Sequence, residues 1–216
     1  MPVGGHVPNR DRPRTEKAKG RLAVKHSSSQ SLYSYWNERR GARPAPERSE
    51  IEPGAIRGAL GDSFILGWDP VPAFRLAGTR VCSLFGRELK GEAFAPLWDA
   101  RDGNPIDDLL AIVANEIAGI VAGVSGMTAD GQSVDLELLL LPLRHRGMSH
   151  ARQIGVLAPL SLPFWLGATP VTTLTLKSHR HVGPALDTVA TTPFMAAAAE
   201  NVRVRHGLLV YDGGRT

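Results

Sequence analysis

The clearest pattern of apolar and polar positions runs from Pro105 to Ile117, where Ile106, Leu109, Leu110, Val113 and Ile117 trace one stripe at helical spacing. Asn104 stands at the N-cap position, Pro105 at the first helical position, and Asp107 and Asp108 in the first turn, where the helix dipole favours anions. The pattern after it is that of strands. Gly119–Met127, Ser133–Leu143 and His150–Leu160 are apolar segments separated by turn signals at 129–131 and 144–147. In the middle one, Val134, Leu136, Leu138 and Leu140 alternate with Ser133, Asp135, Glu137 and Leu139, as in a strand buried on one face. Ahead of the helix, Phe64, Ile65, Leu66 and Trp68, then Phe74 and Leu76, predict a hairpin turning through Asp69, Pro70 and Pro72. Five strands result, two before the long helix and three after it.

Shorter elements fill the intervals. Ser29–Arg40 predicts a helix capped by Ser28 or Ser29 and stopped by Gly41. Leu32, Tyr35 and Trp36 share one face of it, which reads equally well as packing on the domain or as a dimer contact. Pro44 and Pro46 make 42–47 a linker. Further helices are expected over Pro53–Leu60, from a Thr79 cap through Leu84 to a stop at Gly86, and over Gly91–Trp98. Val171–Val182 alternates as an additional edge strand, its Lys and His end discouraging edge-to-edge pairing. Beyond it, 184–193 reads as a loop, 194–200 as a short helix and 202–212 as a weak strand or tail. The organisation expected is a basic leader (1–28), an N-terminal helix and linker (29–47), a main domain (48–162) and a C-terminal extension (163–216).

The order and spacing of Tyr35-Trp36, Arg40-Gly41, Arg48-Ser49, Glu52-Pro53, Arg75-Leu76-Ala77-Gly78-Thr79 and Gly86-Arg87-Glu88-Leu89-Lys90-Gly91 carry a family resemblance. The chain resembles the stand-alone bacterial PAS domain family, once catalogued only as a domain of unknown function. The resemblance implies an α+β fold: a five-stranded antiparallel sheet with helices packed on one face, here with an N-terminal helix and a C-terminal extension. It also implies a regulatory or sensory signal-transduction module that works through a protein partner or self-association as a homodimer. PAS domains enclose a space between sheet and helices, which here would be lined by Leu66, Phe74, Leu76, Cys82, Phe85, Leu110, Val113, Val124 and Leu138, with Arg75, Thr79 or Trp98 left to orient a guest. A guest in so apolar a lining would be a small uncharged or amphipathic molecule. A filled core is preferred over an open pocket.

Composition narrows the function. At 216 residues, 43% hydrophobic and 21% charged, the chain suits one domain with extensions. A single cysteine, Cys82, excludes a disulfide framework and a cysteine zinc site. No apolar run is long enough for a transmembrane segment and no apolar stretch follows the basic opening, so a cytoplasmic location is expected. The net charge of +4 is uneven: Arg10, Arg12, Arg14, Lys17, Lys19, Arg21 and Lys25 face only Asp11 and Glu16. A disordered, solvated leader is the preferred reading, and a nucleic-acid or anionic-membrane-surface binder is the alternative function; no aromatic side chain interleaves the charges as nucleic-acid stacking requires.

Candidate chemistry is sparse. Cys82 lacks the surroundings of the reactive cysteine in flavin-binding light sensors and reads as a small hydrophobe. The Pro105–Ile117 helix has no histidine for a haem. His145 with His150, and His179 with His181, are pairs without a third ligand and read as surface residues, so no metal or other cofactor is expected. With no nucleophile elbow, phosphate loop or zinc-protease motif, the chain is expected not to be an enzyme.

Overall fold

A computed structural model describes residues 24–68, 70–100, 105–115, 118–145, 148–183, 202–205 and 208–211. Its first unit, residues 1–183, is built on a six-stranded sheet. The strands are β1 (Ser63–Trp68), β2 (Pro72–Ala77), β3 (Gly119–Thr128), β4 (Ser133–His145), β5 (Met148–Pro159) and β6 (Val171–Val182). Their order is β2-β1-β5-β4-β3-β6, and every neighbouring pair is antiparallel. The five expected strands are all present, and the predicted edge strand joins as the sixth, beside β3. In the second unit, residues 184–216, β7 (Val202–Arg205) and β8 (Leu208–Tyr211) pair as an antiparallel hairpin. The loop and helix expected over 184–200 lie outside the described residues.

Among the described residues three α-helices accompany the sheet: α1 (Ser27–Arg40), α2 (Thr79–Phe85) and α3 (Pro105–Asn115). The apolar stripe of α3 is buried at Ile106, Leu109, Leu110 and Val113; Asn104 and Ile117 lie outside the described residues. α1 begins two residues earlier than the serine caps predict, because His26 is the N-cap and its Nδ1 accepts from the Ser28 N–H at 3.2 Å. It therefore starts inside the stretch expected as leader, where Val24 is already buried. The helix expected over Pro53–Leu60 is instead two short 3₁₀ turns, Pro53–Ile56 and Leu60–Asp62, and that over Gly91–Trp98 shrinks to Ala95–Leu97. Gly54, Gly58 and Gly61 weaken the first as a continuous helix.

The sheet separates two apolar clusters. On the face toward α2 and α3 lie Phe64, Leu66, Phe74, Leu110, Val113, Leu136 and Leu138, among others; on the opposite face α1 packs with Leu32, Tyr35 and Trp36 against Leu139, Leu141, Leu143, Ile154 and Val156. Helices thus cover both faces. β4 consequently departs from the expected half-buried strand: every residue from Leu136 to Leu143 is buried, with Leu139 and Leu141 under α1.

The helix–sheet core as candidate functional site

The space in which the sequence places a guest is bounded by β1, β2, β3, β4, α2 and α3. Leu66, Phe74, Phe85, Trp98, Leu110, Val113, Val124 and Leu138 do come together there, all buried. Phe64 and Phe94 join them, and the rings interlock. Phe74 meets Phe64 and Phe94 edge-on at 5.7 and 5.4 Å between centroids, Phe64 stacks on Phe94 at 5.5 Å, and Trp98 meets Phe94 edge-on at 5.7 Å. Such geometry adds stabilisation beyond burial alone. Gly155 on β5 makes the cluster fit, since a Cβ there would lie 2.6 Å from the Leu139 carbonyl and closer still to the Phe64 ring. Sequence reasoning passed over Phe64 and Phe94 as lining, although their size and their places on β1 and after β2 mark them as core.

Three expected residues lie elsewhere. The β1–β2 register shifts between Ile65 and Leu66, which pairs Leu66 with Phe74 but Ile65 with Leu76. This irregularity turns Leu76 away from the core, leaving it 42% exposed, and Arg75 is exposed beside it. Thr79 is also exposed and is not a cap: it is the first residue of α2, whose N-cap is Gly78. Gly78 has an extended backbone, φ −71°, so it is required by crowding and not by a positive φ; a Cβ would lie 2.1 Å from the Leu60 carbonyl oxygen. Cys82 packs half-buried at the cluster's edge, its Sγ 3.6 Å from Glu88 Oε1. Burial and then the nearby carboxylate push its thiol pKa up, the opposite of what a reactive cysteine needs.

Two polar atoms in this apolar setting have no partner among the described residues. Gln153 on β5 donates through Nε2 to the Leu110 carbonyl of α3 at 2.8 Å, leaving its buried Oε1 unmatched, and the Trp98 Nε1–H is likewise buried and unmatched. A buried donor or acceptor without a partner costs about 1–3 kcal/mol. Sequence periodicity had no means of finding Gln153, because it reads as an ordinary polar position on a strand.

Two further polar sites hold the frame together. Asp62 is buried and takes Ser28 Oγ at 2.6 Å, Arg80 Nε at 2.6 Å and Arg80 Nη2 at 2.8 Å, so it ties α1 to α2. Burial pushes its carboxyl up, but the hydrogen bonds from Arg80 and Ser28 outweigh this and hold its pKa below the usual range. Glu137, also buried, accepts the backbone N–H of Lys25 and His26 at 2.7 and 2.9 Å and so anchors the entry to α1.

The proposed dimer face is occupied within the chain. Leu32 and Trp36 are fully buried, Trp36 Nε1 donates to the Pro142 carbonyl at 2.8 Å, and the Tyr35 hydroxyl donates to the Glu50 carbonyl at 3.1 Å while accepting the Glu52 N–H at 3.0 Å. Those side chains pack on the domain, so they are not a surface for a second copy. His179 and His181 do share a face of β6, with ring centroids 6.5 Å apart; the side chain of His150 lies outside the described residues. Among the described residues no group of three His, Cys, Asp or Glu side chains is placed to hold a metal ion, and no helix is long and apolar enough to cross a membrane.

Comparison with known proteins agrees with this architecture. A family model described as PAS domain matches residues 24–158, well over half of the chain. The chain therefore belongs to the PAS domain family, a family of sensory and regulatory modules. Its described structure is similar to the dark structure of the blue-light photoreceptor Aureochrome1 LOV, at 16% identity and a TM-score of 0.41 over 50% of this chain and 81% of that one. It is similar also to the Rhodobacter sphaeroides LOV protein, at 13% identity and 0.39 over 47% and 60%, and to the Erythrobacter litoralis EL346 blue-light activated histidine kinase, at 14% and 0.40 over 50% and 36%. No curated protein matches the chain.

Proposed function

We propose that this PAS domain is a regulatory module without catalytic chemistry of its own, passing its signal to a protein partner that pairs with the outer edge of β6. The observation that supports this is the state of that edge. β6 ends the sheet, and among the described residues only its first half is covered, where the Asp99 N–H donates to the Leu174 carbonyl at 2.8 Å. Lys177, Ser178, His179 and Arg180 follow in a row, all exposed. The cations that discourage one such edge from pairing with another like it still leave backbone groups open to an extended segment of opposite charge, so Lys177 and Arg180 favour an acidic one. Affinity capture from the native host followed by charge reversal at Lys177→Glu and Arg180→Glu tests the reading. The captured protein should be lost with the double variant; its retention would move the docking site off β6.

A second reading, ligand sensing in the core, is favoured by Trp98 Nε1 and Gln153 Oε1, which offer one donor and one acceptor to a small uncharged guest. Solvent extraction of purified protein, analysed by mass spectrometry, should then release an apolar compound at near-stoichiometric amount, and Val113→Phe should abolish its retention while the fold survives. If nothing is extracted and Trp98→Phe leaves stability unchanged or raised, the core is a filled one and protein docking stands alone.

A further inference from the structure

On the sheet face that carries α1, a missing side chain leaves a hollow. Val121 of β3 packs in the cluster under α1, and Gly123, two residues on, shares its face. Gly123 stands between Glu137 of β4 and Ser178 of β6, its cross-strand neighbours. Among the described residues a Cβ at this position would meet only Ser178 Oγ, at 3.1 Å. A cleft of about 210 Å³ opens here, and its lining includes Val121, Lys25, Leu160, His179 and Arg180 as well as these three.

Charges of both signs line this cleft without neutralising each other. Glu137 is only 4% exposed, and its carboxylate accepts the backbone N–H groups of Lys25, on Oε2 at 2.7 Å, and of His26, on Oε1 at 2.9 Å. An ionised carboxylate has about four acceptor positions, so each oxygen keeps room for another donor. Among the described residues no cationic side chain is paired with Glu137, and neither the Lys25 ammonium nor the Arg180 guanidinium is paired with a carboxylate. Lys25 shows the separation most directly: its main-chain N–H reaches Glu137 while its ammonium does not. A buried charge without a countercharge is costly, and a guest carrying both signs would supply what each side of the cleft lacks.

We propose that this cleft binds a free α-amino acid with a small apolar side chain. Its ammonium donates to Glu137, its carboxylate accepts from Arg180 and Lys25 near the Ser178 hydroxyl, and its side chain rests on Val121 and Leu160. A simple anion is the poorer occupant, because it meets the Glu137 carboxylate, and a simple amine meets the two cations; only a molecule with both charges matches both sides. A residue within a polypeptide lacks the charged pair on one carbon. The site uses neither the backbone edge of β6 nor the aromatic core on the opposite face, so it stands apart from both readings above.

Titration calorimetry of the full chain tests this with L-valine and with two analogues that keep its skeleton, isobutylamine without the carboxylate and 3-methylbutanoate without the ammonium. L-Valine should bind with a Kd of about 1 mM or tighter, and each analogue at least about tenfold more weakly, as loss of hydrogen bonds to a charged group implies. Gly123→Val, which fills the hollow, should abolish L-valine binding. Arg180→Gln, an exposed change that leaves the fold intact, should weaken it about tenfold. The proposal is overturned if the wild-type chain gives no binding at about 10 mM L-valine, or if Arg180→Gln binds L-valine as tightly as wild type. It is equally overturned if either analogue matches L-valine: 3-methylbutanoate doing so would make the cleft a plain anion site, and isobutylamine a plain cation site.

Discussion

At Gly78 one methyl group decides whether β2 can hand over to α2. The Gly78 N–H donates to the Ser63 carbonyl at 2.8 Å, its own carbonyl accepts the first helical N–H from Cys82 at 2.9 Å, and the Leu60–Gly61 backbone fills the place of a side chain. Gly78→Ala should therefore cost about 1–3 kcal/mol, as overpacking against backbone does, whereas Thr79→Ala should change stability by less than about 0.5 kcal/mol, as exposed substitutions do; denaturant unfolding of the two variants checks both. Asp62 gives a second expectation. Its folded carboxyl pKa is lowered, so its contribution is present above the ordinary carboxylate pKa and is lost as pH falls through the lowered folded value. Asp62→Asn should destabilise the protein at neutral pH by about 1.5–3 kcal/mol, the range for hydrogen bonds to a charged group. That difference should shrink toward zero in acid, and a gap independent of pH would assign the loss to packing.

Among the elements, α1 shows where a face goes when two destinations are open to it. Its three large side chains are used inside the chain, with Trp36 hydrogen-bonded to the β4 backbone and stacked on Tyr33 at 6.2 Å. Trp36→Ala should lower stability by about 3–5 kcal/mol, the usual cost of emptying a buried aromatic site, without altering sedimentation beyond the unfolded fraction. Spacing alone showed that Leu32, Tyr35 and Trp36 face one way; it had no information on what they face. The same limit explains β4. Its alternation described one face correctly, but the burial of Glu137 and Leu139 depends on α1, which is about a hundred residues distant in sequence. α3 and the hairpin signals were legible because they are local, and β6 was legible from period-two alternation. The position of Leu76 was not, since the register shift beside Leu66 is a product of pairing. Of the candidate site, the apolar lining was legible from strand and helix phase, while the unmatched atoms of Trp98 and Gln153 emerge only when β5, α3 and the Trp98 segment are brought together.

For the whole molecule, the match to the PAS family ends at residue 158, yet the fold does not. β6 pairs with β3 from Gly119↔Val182 to Thr128↔Val171, the longest ladder β3 makes, and Trp165, Val171 and Leu174 enter the same core as α3. Removing this segment exposes the β3 edge and uncovers three buried side chains worth about 1.5–3 kcal/mol each, before any ladder hydrogen bond is counted. Against a net stability of about 5–15 kcal/mol for a domain, that loss consumes most of the margin. A chain ending at Leu162 should therefore lose its cooperative unfolding transition or aggregate through the freed β3 edge. One ending at Gly183 retains the whole six-stranded sheet and should keep a cooperative transition. Thermal unfolding of the two truncated chains decides it: a cooperative, near-wild-type transition in the shorter one would show that β6 rests on a fold already complete without it.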